Sequence, residues 1–468
     1  MVLELHHLSA VEQLDLLRRG DLTPVELTEH YLERIDRIDG DLGAFVTVTA
    51  DAALDRAHRV QADSPHAAAL WGMPLGLKDL WATAGTRTTY GSRAFEHVVP
   101  DISDEIVTAL EDAGSVSLGK TATPEFGLSS YTESLVSAPT RTPWDLSLGA
   151  GGSSGGAAVA VSAGLLPFAP ASDGGGSIRI PAAATGLVGL KPSRGRVPSG
   201  SGFTSLAGLV AYGAIGRSVG DVGLLLDAIA GPSPWSVGPP TWDEGPWLGA
   251  AVRGEGRYQV GVMTSSPWDA SHDIRISQEA TDALAVATTE LAAIGHGLDD
   301  FALDPEPYGE HFKVIWQASA AGIPVEGDRL ELLEPLTRWL VEQGRALGAR
   351  RLAEALAWLA GYERRVIRQF APFDAVLTPA LAMTPRPVGW YSEDGERNFD
   401  QQVEYTPWTS FVNVAGLPAI VLPVHQTAKG LPMGVQLIGR PGGEDVLLSL
   451  GVQLERRLRW QRRHPPQW

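Results

Sequence analysis

The chain predicts an α/β fold in which a central mixed β-sheet is covered by helices. Three observations carry that reading. Short apolar runs of β character alternate with stretches of helical spacing along most of the 468 residues. The hydrophobic fraction, 44%, suffices for a large core. Neither an internal repeat nor a low-complexity tail breaks the alternation, so one large domain is expected rather than the two or three that about 150 residues per domain would give.

The first residues read as helical. Ser9 lies three positions before Glu12, and Thr23-Pro24-Val25-Glu26 offers a cap, a proline in the first turn and an acidic residue three positions on. In both places hydroxyl and carboxylate can each satisfy the other's free backbone N–H. Val25, Leu27, Tyr31, Leu32 and Ile35 then recur at helical spacing. Strands are expected at Ala44–Val48, Leu75–Leu77, Ser115–Leu118, Leu166–Ala169, Tyr258–Val262, Ala375–Leu377, Ala419–Leu422 and Gly434–Ile438. Helices are expected at Asp104–Ala113, Ser154–Ala163, Val219–Ala230, Gln278–Ile294 and Glu444–Leu458, with long ones across 329–370 that could form the side of a pocket. Gly231–Gly256, rich in Pro, Gly and Trp, reads as a surface connection.

Charge and composition exclude several classes of function. Against 55 Asp+Glu stand 37 Lys+Arg, a formal charge of −18, and so acidic a surface repels phosphate backbones. No nucleic-acid partner is expected. The chain has no cysteine, which removes disulfides, thiolate nucleophiles and Cys-ligated zinc, and suits a reducing compartment. The most apolar stretches, Ala157–Pro170 and Pro418–Val424, fall short of the roughly 20 residues a bilayer needs. The amphipathic start holds no signal-peptide core. The expectation is a cytoplasmic monomer or homodimer that acts on a small molecule.

Composition is least ordinary between Leu148 and Ala184, where glycines surround Ser153-Ser154 and the run Gly174-Gly175-Gly176 leads into Ser177. Such runs let backbone approach a ligand and can aim several N–H groups at one anion or oxyanion. A flexible linker is one reading, opposed by the apolar stretch between the two clusters. A phosphate-cradling loop is another, but no G-x-x-x-x-G-K-[ST] or dinucleotide fingerprint follows. A serine hydrolase site is the third, in two versions. Gly151–Gly155 matches the G-x-S-x-G elbow centred on Ser153, yet Pro143–Leu148 before it has no strand pattern, and its histidine would have to come from His272, His296, His311 or His425. In the other version Ser177 is the nucleophile and the preceding glycine N–H groups hold the oxyanion. Its base is then Lys78, which ends the apolar run Met73–Leu77 and works only if burial or a neighbouring cation lowers its pKa from about 10.4. An ion pair between Lys78 and Asp79 is the alternative without chemistry.

These residues together resemble the amidase signature family. Gly149–Ala184 is similar to its Gly/Ser-rich signature and Met73–Asp79 to its lysine motif. Glu125–Gly127, Pro139–Trp144, Gly186–Arg194, Arg217–Gly231 and Gly416–Arg440 continue the pattern. Intervals of 75 positions from Lys78 to Ser153 and 24 from Ser153 to Ser177 match in order, and the likeness is weakest across about 235–410. The resemblance implies the amidase signature fold and hydrolysis of an amide through an acyl-enzyme, with esters and carbamates as side substrates. It implies Ser177 as nucleophile, Ser153 beyond a cis peptide bond as proton relay and Lys78 as base. Gly174, Gly175, Gly176 and the Ser177 N–H would form the oxyanion hole, and Leu128 and Ser129 would line the acyl side. Asp173 and Arg179 would fix the loop as an ion pair. No cofactor and no metal are implied, and the adjacent His6-His7 reads as surface.

The expected division is an N-terminal helical segment over 1–65, a catalytic core over 66–231, a variable pocket region over 232–410 and completing strands and helix over 411–468. Within the family, Ser172-Asp173-Gly174-Gly175-Gly176-Ser177 resembles the nylon-oligomer cyclic-dimer hydrolases and aryl acylamidases, which act on bulky or apolar amides. Ile180 stands where the glutaminase subunit of tRNA amidotransferases typically has Gln, which argues against that alternative role. Among 14 tryptophans, Trp81 and Trp316 are candidates for an apolar pocket lining.

Overall fold

Two sheets organise the chain. A computed structural model describes residues 4–63, 67–198, 205–230 and 245–468. Strands β1 (Phe45–Val48), β2 (Pro74–Lys78) and β3 (Val116–Thr121) form a small sheet in the order β1-β3-β2, with β2 and β3 parallel and β1 antiparallel to β3. The other eight strands are β4 (Phe168–Asp173), β5 (Val188–Lys191), β6 (Ala211–Gly216), β7 (Gln259–Val262), β8 (Gly297–Asp300), β9 (Ala375–Pro379), β10 (Ala419–Gln426) and β11 (Pro432–Gly439). They lie in the order β4-β6-β5-β10-β11-β9-β7-β8. Pairing is antiparallel from β4 as far as β9 and parallel through β9-β7-β8, so this sheet is mixed. Helices cover it, and the whole is one α/β domain.

Local chemistry explains where elements begin. Ser9 and Glu12, and Thr23 and Glu26, form reciprocal capping boxes at the helices Ala10–Arg19 and Pro24–Leu42. The helix Gln278–Ile294 and the helix Glu444–Leu458 run over the expected residues, and Asp104–Ala113 shortens by one residue at each end to Glu105–Asp112. The expected long helices are Pro335–Ala346 and Ala349–Phe370.

Three strands escape the pattern reading. In β5 and β6 glycines dilute the β signal, and Gly213 of β6 is there for space, since a Cβ would lie 2.2 Å from the Leu190 carbonyl oxygen. The edge strand β8 ends in exposed Asp299 and Asp300, charges that discourage pairing with another chain. Of the connection expected over 231–256, residues 231–244 lie outside the described residues, as does the boundary expected at 65–66. The remainder is corrected: it holds the helix Trp247–Arg253, with Trp247, Ala250 and Ala251 buried against the core.

Between the sheets sits the helix Gly155–Ser162, every residue of it buried. Gly156 is compulsory there, because a Cβ would come within 2.3 Å of Ala122 N and 2.4 Å of Ala44 O. This close packing sets the Ser153-Ser154 turn against the end of β2, where Lys78 emerges.

Candidate active site

Every residue of β2 is buried, so its last side chain, Lys78, has no route to solvent. The Lys78 Nζ finds partners in three serines: Ser153 Oγ and Ser154 Oγ at 2.8 Å, and Ser172 Oγ at 3.0 Å. Burial lowers its pKa to about 7, against the opposing pull of the Asp173 carboxylate. Asp79 is not its partner. That carboxylate accepts the Thr89 N–H at 3.0 Å, and Lys78 has no ion pair among the described residues. Two further lysines are depressed by burial, Lys120 to about 8 and Lys191 to about 7. Lys120 Nζ serves the Trp81 carbonyl and the Thr83 and Thr88 hydroxyls, while Lys191 Nζ serves the Pro192 carbonyl. A lowered pKa alone therefore does not single out Lys78; its serine partners do.

Ser153 follows a cis peptide bond with Gly152. Its neighbour Ser154 donates its N–H to the Ser177 carbonyl at 3.2 Å, tying the two serine loops together through the backbone. Among the described residues no hydrogen bond joins Ser177 Oγ to Ser153 Oγ. Ser177 instead lies on the wall of a cleft.

The Ser177 loop is held by a buried ion pair. Both carboxylate oxygens of Asp173 accept from Arg179, Nε and Nη2 each at 2.9 Å, and both side chains are fully buried. Burial pushes the Asp173 carboxyl up, but Arg179, then Lys191 and Asn413, outweigh it and hold it well below the usual range. Arg179 also donates to the Thr409 carbonyl, Gln436 and Asn413. Asp173 Oδ1 accepts the Gly176 N–H at 2.7 Å and Oδ2 the Ile178 N–H at 3.1 Å. This corrects the expectation for Gly176 as an oxyanion donor: its N–H already serves Asp173. Gly176 is present for another reason, a φ of 133° and a Cβ that would strike Thr409 Oγ1 at 2.5 Å.

The cleft above Ser177 is apolar. Leu128 and Ser129 line it, with Gly175 and Ile180. The variable region contributes Trp268, Phe312, Trp316 and Phe399, and Gly127, Ser130, Gln402, Val403, Thr406, Thr409 and Ser410 complete the lining. No charged side chain takes part among the described residues. Trp316 Nε1 donates to the Leu128 carbonyl at 3.2 Å, so one indole both lines the cleft and joins its two sides. Trp81 does not line it; the ring is buried in the core, edge-on to Tyr212. The helix Tyr308–Ala321 was not among the expected elements; the four-residue spacing of Phe312 and Trp316 is the signal that could have found their shared face, whereas Trp268 and Phe399 carry no such signal. None of His272, His296, His311 and His425 lines the cleft, which leaves the elbow reading without its base.

The Amidase family matches residues 26–448, and the chain belongs to that family of hydrolases, which act on amide C–N bonds. It is 37% identical over 466 residues to "Putative amidase AmiB2" of Mycobacterium tuberculosis, covering 97% of both chains. To a glutamyl-tRNA(Gln) amidotransferase subunit from a Roseiflexus species it is 34% identical, over 98% of each. Among solved structures, 6-aminohexanoate cyclic dimer hydrolase superposes over 99% of each chain with a TM-score of 0.90 at 29% identity.

Proposed function

We propose that this protein hydrolyses carboxylic amides of apolar or bulky character through an acyl-enzyme, with Ser177 as nucleophile, Ser153 as relay and Lys78 as base. The observation that carries the reading is a buried Lys78 bonded to Ser153 and two further hydroxyls below an uncharged cleft walled by Ser177. A neutral lysine has two N–H groups and one lone pair. The N–H groups suit Ser154 Oγ, whose own proton goes to the Ser172 carbonyl, and Ser172 Oγ. The lone pair is left for the Ser153 proton.

In the attack, Ser177 Oγ bonds to the carbonyl carbon while its proton passes to Ser153 Oγ and the Ser153 proton to Lys78 Nζ. The C=O π pair moves to oxygen, held by the N–H groups of Gly174, Gly175 and Ser177, each worth about 2.7–4 kcal/mol in the transition state. Reversal of the relay protonates the amide nitrogen, the C–N bond breaks, and the amine leaves an ester on Ser177. Water repeats the sequence and frees the acid. Esters and carbamates present the same carbonyl and are side substrates. Residues 232–410 act as the substrate-selecting segment of the domain.

The likeness to an amidotransferase component favours a second reading, delivery of ammonia from glutamine within a larger assembly. Free glutamine carries an amino and a carboxylate group, and burying either unpaired costs several kcal/mol. The uncharged lining speaks for a stand-alone enzyme. The test is a screen of the purified chain, without ATP or partners, over primary amides, anilides, cyclic amides, carbamates and esters. Hydrolysis that disappears in Ser177→Ala is expected. Turnover that survives that change, or a folded chain inert to every amide, sinks the reading.

A further inference from the structure

One wall of the cleft is a helical face. Phe399, Gln402 and Val403 of the helix Gly395–Tyr405, with Thr406 just beyond it, recur at three- and four-residue spacing and all line the cleft. Gln402 brings a primary amide, and the direction of that amide is not free. Its Oε1 accepts the Ser130 backbone N–H at 2.8 Å, and its Nε2 donates to Asn398 Oδ1 at 2.9 Å. Asn398 Nδ2 in turn donates to the Ser392 carbonyl at 2.7 Å and to the Tyr131 hydroxyl at 2.9 Å. A backbone N–H can only donate and a backbone carbonyl can only accept, so the two ends of this chain fix both amides. Reversing either one would set donor against donor or oxygen against oxygen.

A primary amide has two N–H groups, and Asn398 takes one of them. The second N–H of Gln402 has no acceptor among the described residues, and the residue is partly exposed where it lines the cleft. Hydroxyls of the same lining are spent differently. Ser129, Thr406 and Thr409 give their protons to the Tyr131, Gln402 and Gly175 carbonyls, so they meet a substrate as acceptors. Ser410 Oγ accepts from Trp268 Nε1 and from the Tyr308 hydroxyl, which leaves its proton as the competing donor. Resting on the reading of the cleft as an amide-hydrolase site, we propose that Gln402 Nε2 selects amides that carry a second carbonyl oxygen, apart from the one attacked by Ser177, as the acceptor for this N–H. A methylene in the same place strips water from the N–H and returns nothing, so the all-carbon homologue is penalised. Asn398 and the Ser130 backbone are positioning groups: they turn the amide so that its N–H, and not its oxygen, is left for the substrate.

The experiment measures kcat/KM for pairs of anilides that differ by one carbonyl. A ketone replaces a methylene at carbon 4, 5 or 6 of a straight acyl chain, or an acetyl replaces an ethyl group on the aniline ring. The ratio within each pair is the readout, and taking it on wild type and variant with the same substrates cancels their intrinsic reactivity. At one position wild type should favour the ketone about three- to tenfold. Gln402→Met, of similar length but without an N–H, should bring that ratio to about one, whatever it does to the rates themselves. Gln402→Glu keeps an oxygen for the Ser130 N–H but has no proton to give, so its ratio should fall below one, a reversal that lost packing alone would not produce. The same pairs bound to Ser177→Ala, followed by the emission of Trp268 and Trp316, give the comparison without turnover. A ketone preference in binding by a chain that hydrolyses nothing would therefore keep this assignment and sink the hydrolase reading. A ratio near one at every position in wild type, or a preference that Gln402→Met leaves unchanged or that only Ser410→Ala removes, overturns it.

Discussion

The floor of the cleft and its walls are built from opposite materials. Below Ser177 lie Lys78, Ser153, Ser154, Ser172, Asp173 and Arg179, polar groups shut away from water and bonded to one another. Above it stand Leu128, Trp268, Phe312, Trp316 and Phe399, which offer a substrate surface and shape but no charge. The floor comes mainly from residues 78–179, where the Gly/Ser-rich segment lies, and most of the aromatic wall from 268–399. In a low-dielectric interior each floor group depends on its neighbours, so a change there should be felt throughout. A change in the wall should alter which substrate fits and little else.

The largest expected effect, and the sharpest test of the floor, is Ser177→Ala. It should lower kcat on amides and esters alike by about 10⁴-fold or more, read by initial rates on an anilide and an activated ester. Lys78→Ala should follow with about 10²–10⁴ on the anilide and much less on the activated ester, whose leaving group needs no proton. Wild-type kcat/KM should rise with pH along a limb centred near 7 and then level, because Lys78 is a base only after losing its proton and burial has brought that loss down to about 7. An anilide profile flat from pH 5 to 9 would take the lysine out of the mechanism. Asp173→Asn leaves Arg179 buried without its carboxylate and should cost about 3–5 kcal/mol in urea denaturation. Phe399→Leu is the mildest. It trims one ring of the wall and leaves every floor group in place, so the fold should hold while kcat/KM for bulky anilides falls about tenfold and small esters are spared. Equal losses on both substrates would erase the distinction between floor and wall.

What the sequence made legible follows the same division. The Ser9/Glu12 and Thr23/Glu26 caps, the helix Gln278–Ile294 and the Gly174–Ser177 run are local chemistry, visible in a few adjacent residues. Gly176 shows the limit of local reading: its N–H looks free until Asp173, three positions back, is seen to turn and take it. Trp268 and Phe399 reach the cleft through packing from distant parts of the chain, and Trp81, close to Lys78 in sequence, turns into the core. His6, expected at the surface, is buried: His30 and His464 likewise meet His6 and His7 only after long loops close.

The all-buried Gly155–Ser162 helix has a consequence for how the enzyme fails. Only 8 residues long, opening on two glycines and with no solvent-facing side, it has little reason to be helical until both sheets have closed around it. Catalytic competence should therefore arrive last during refolding. In denaturant, turnover should be lost at or before the red shift of the tryptophan emission, so that no partly opened form retains activity.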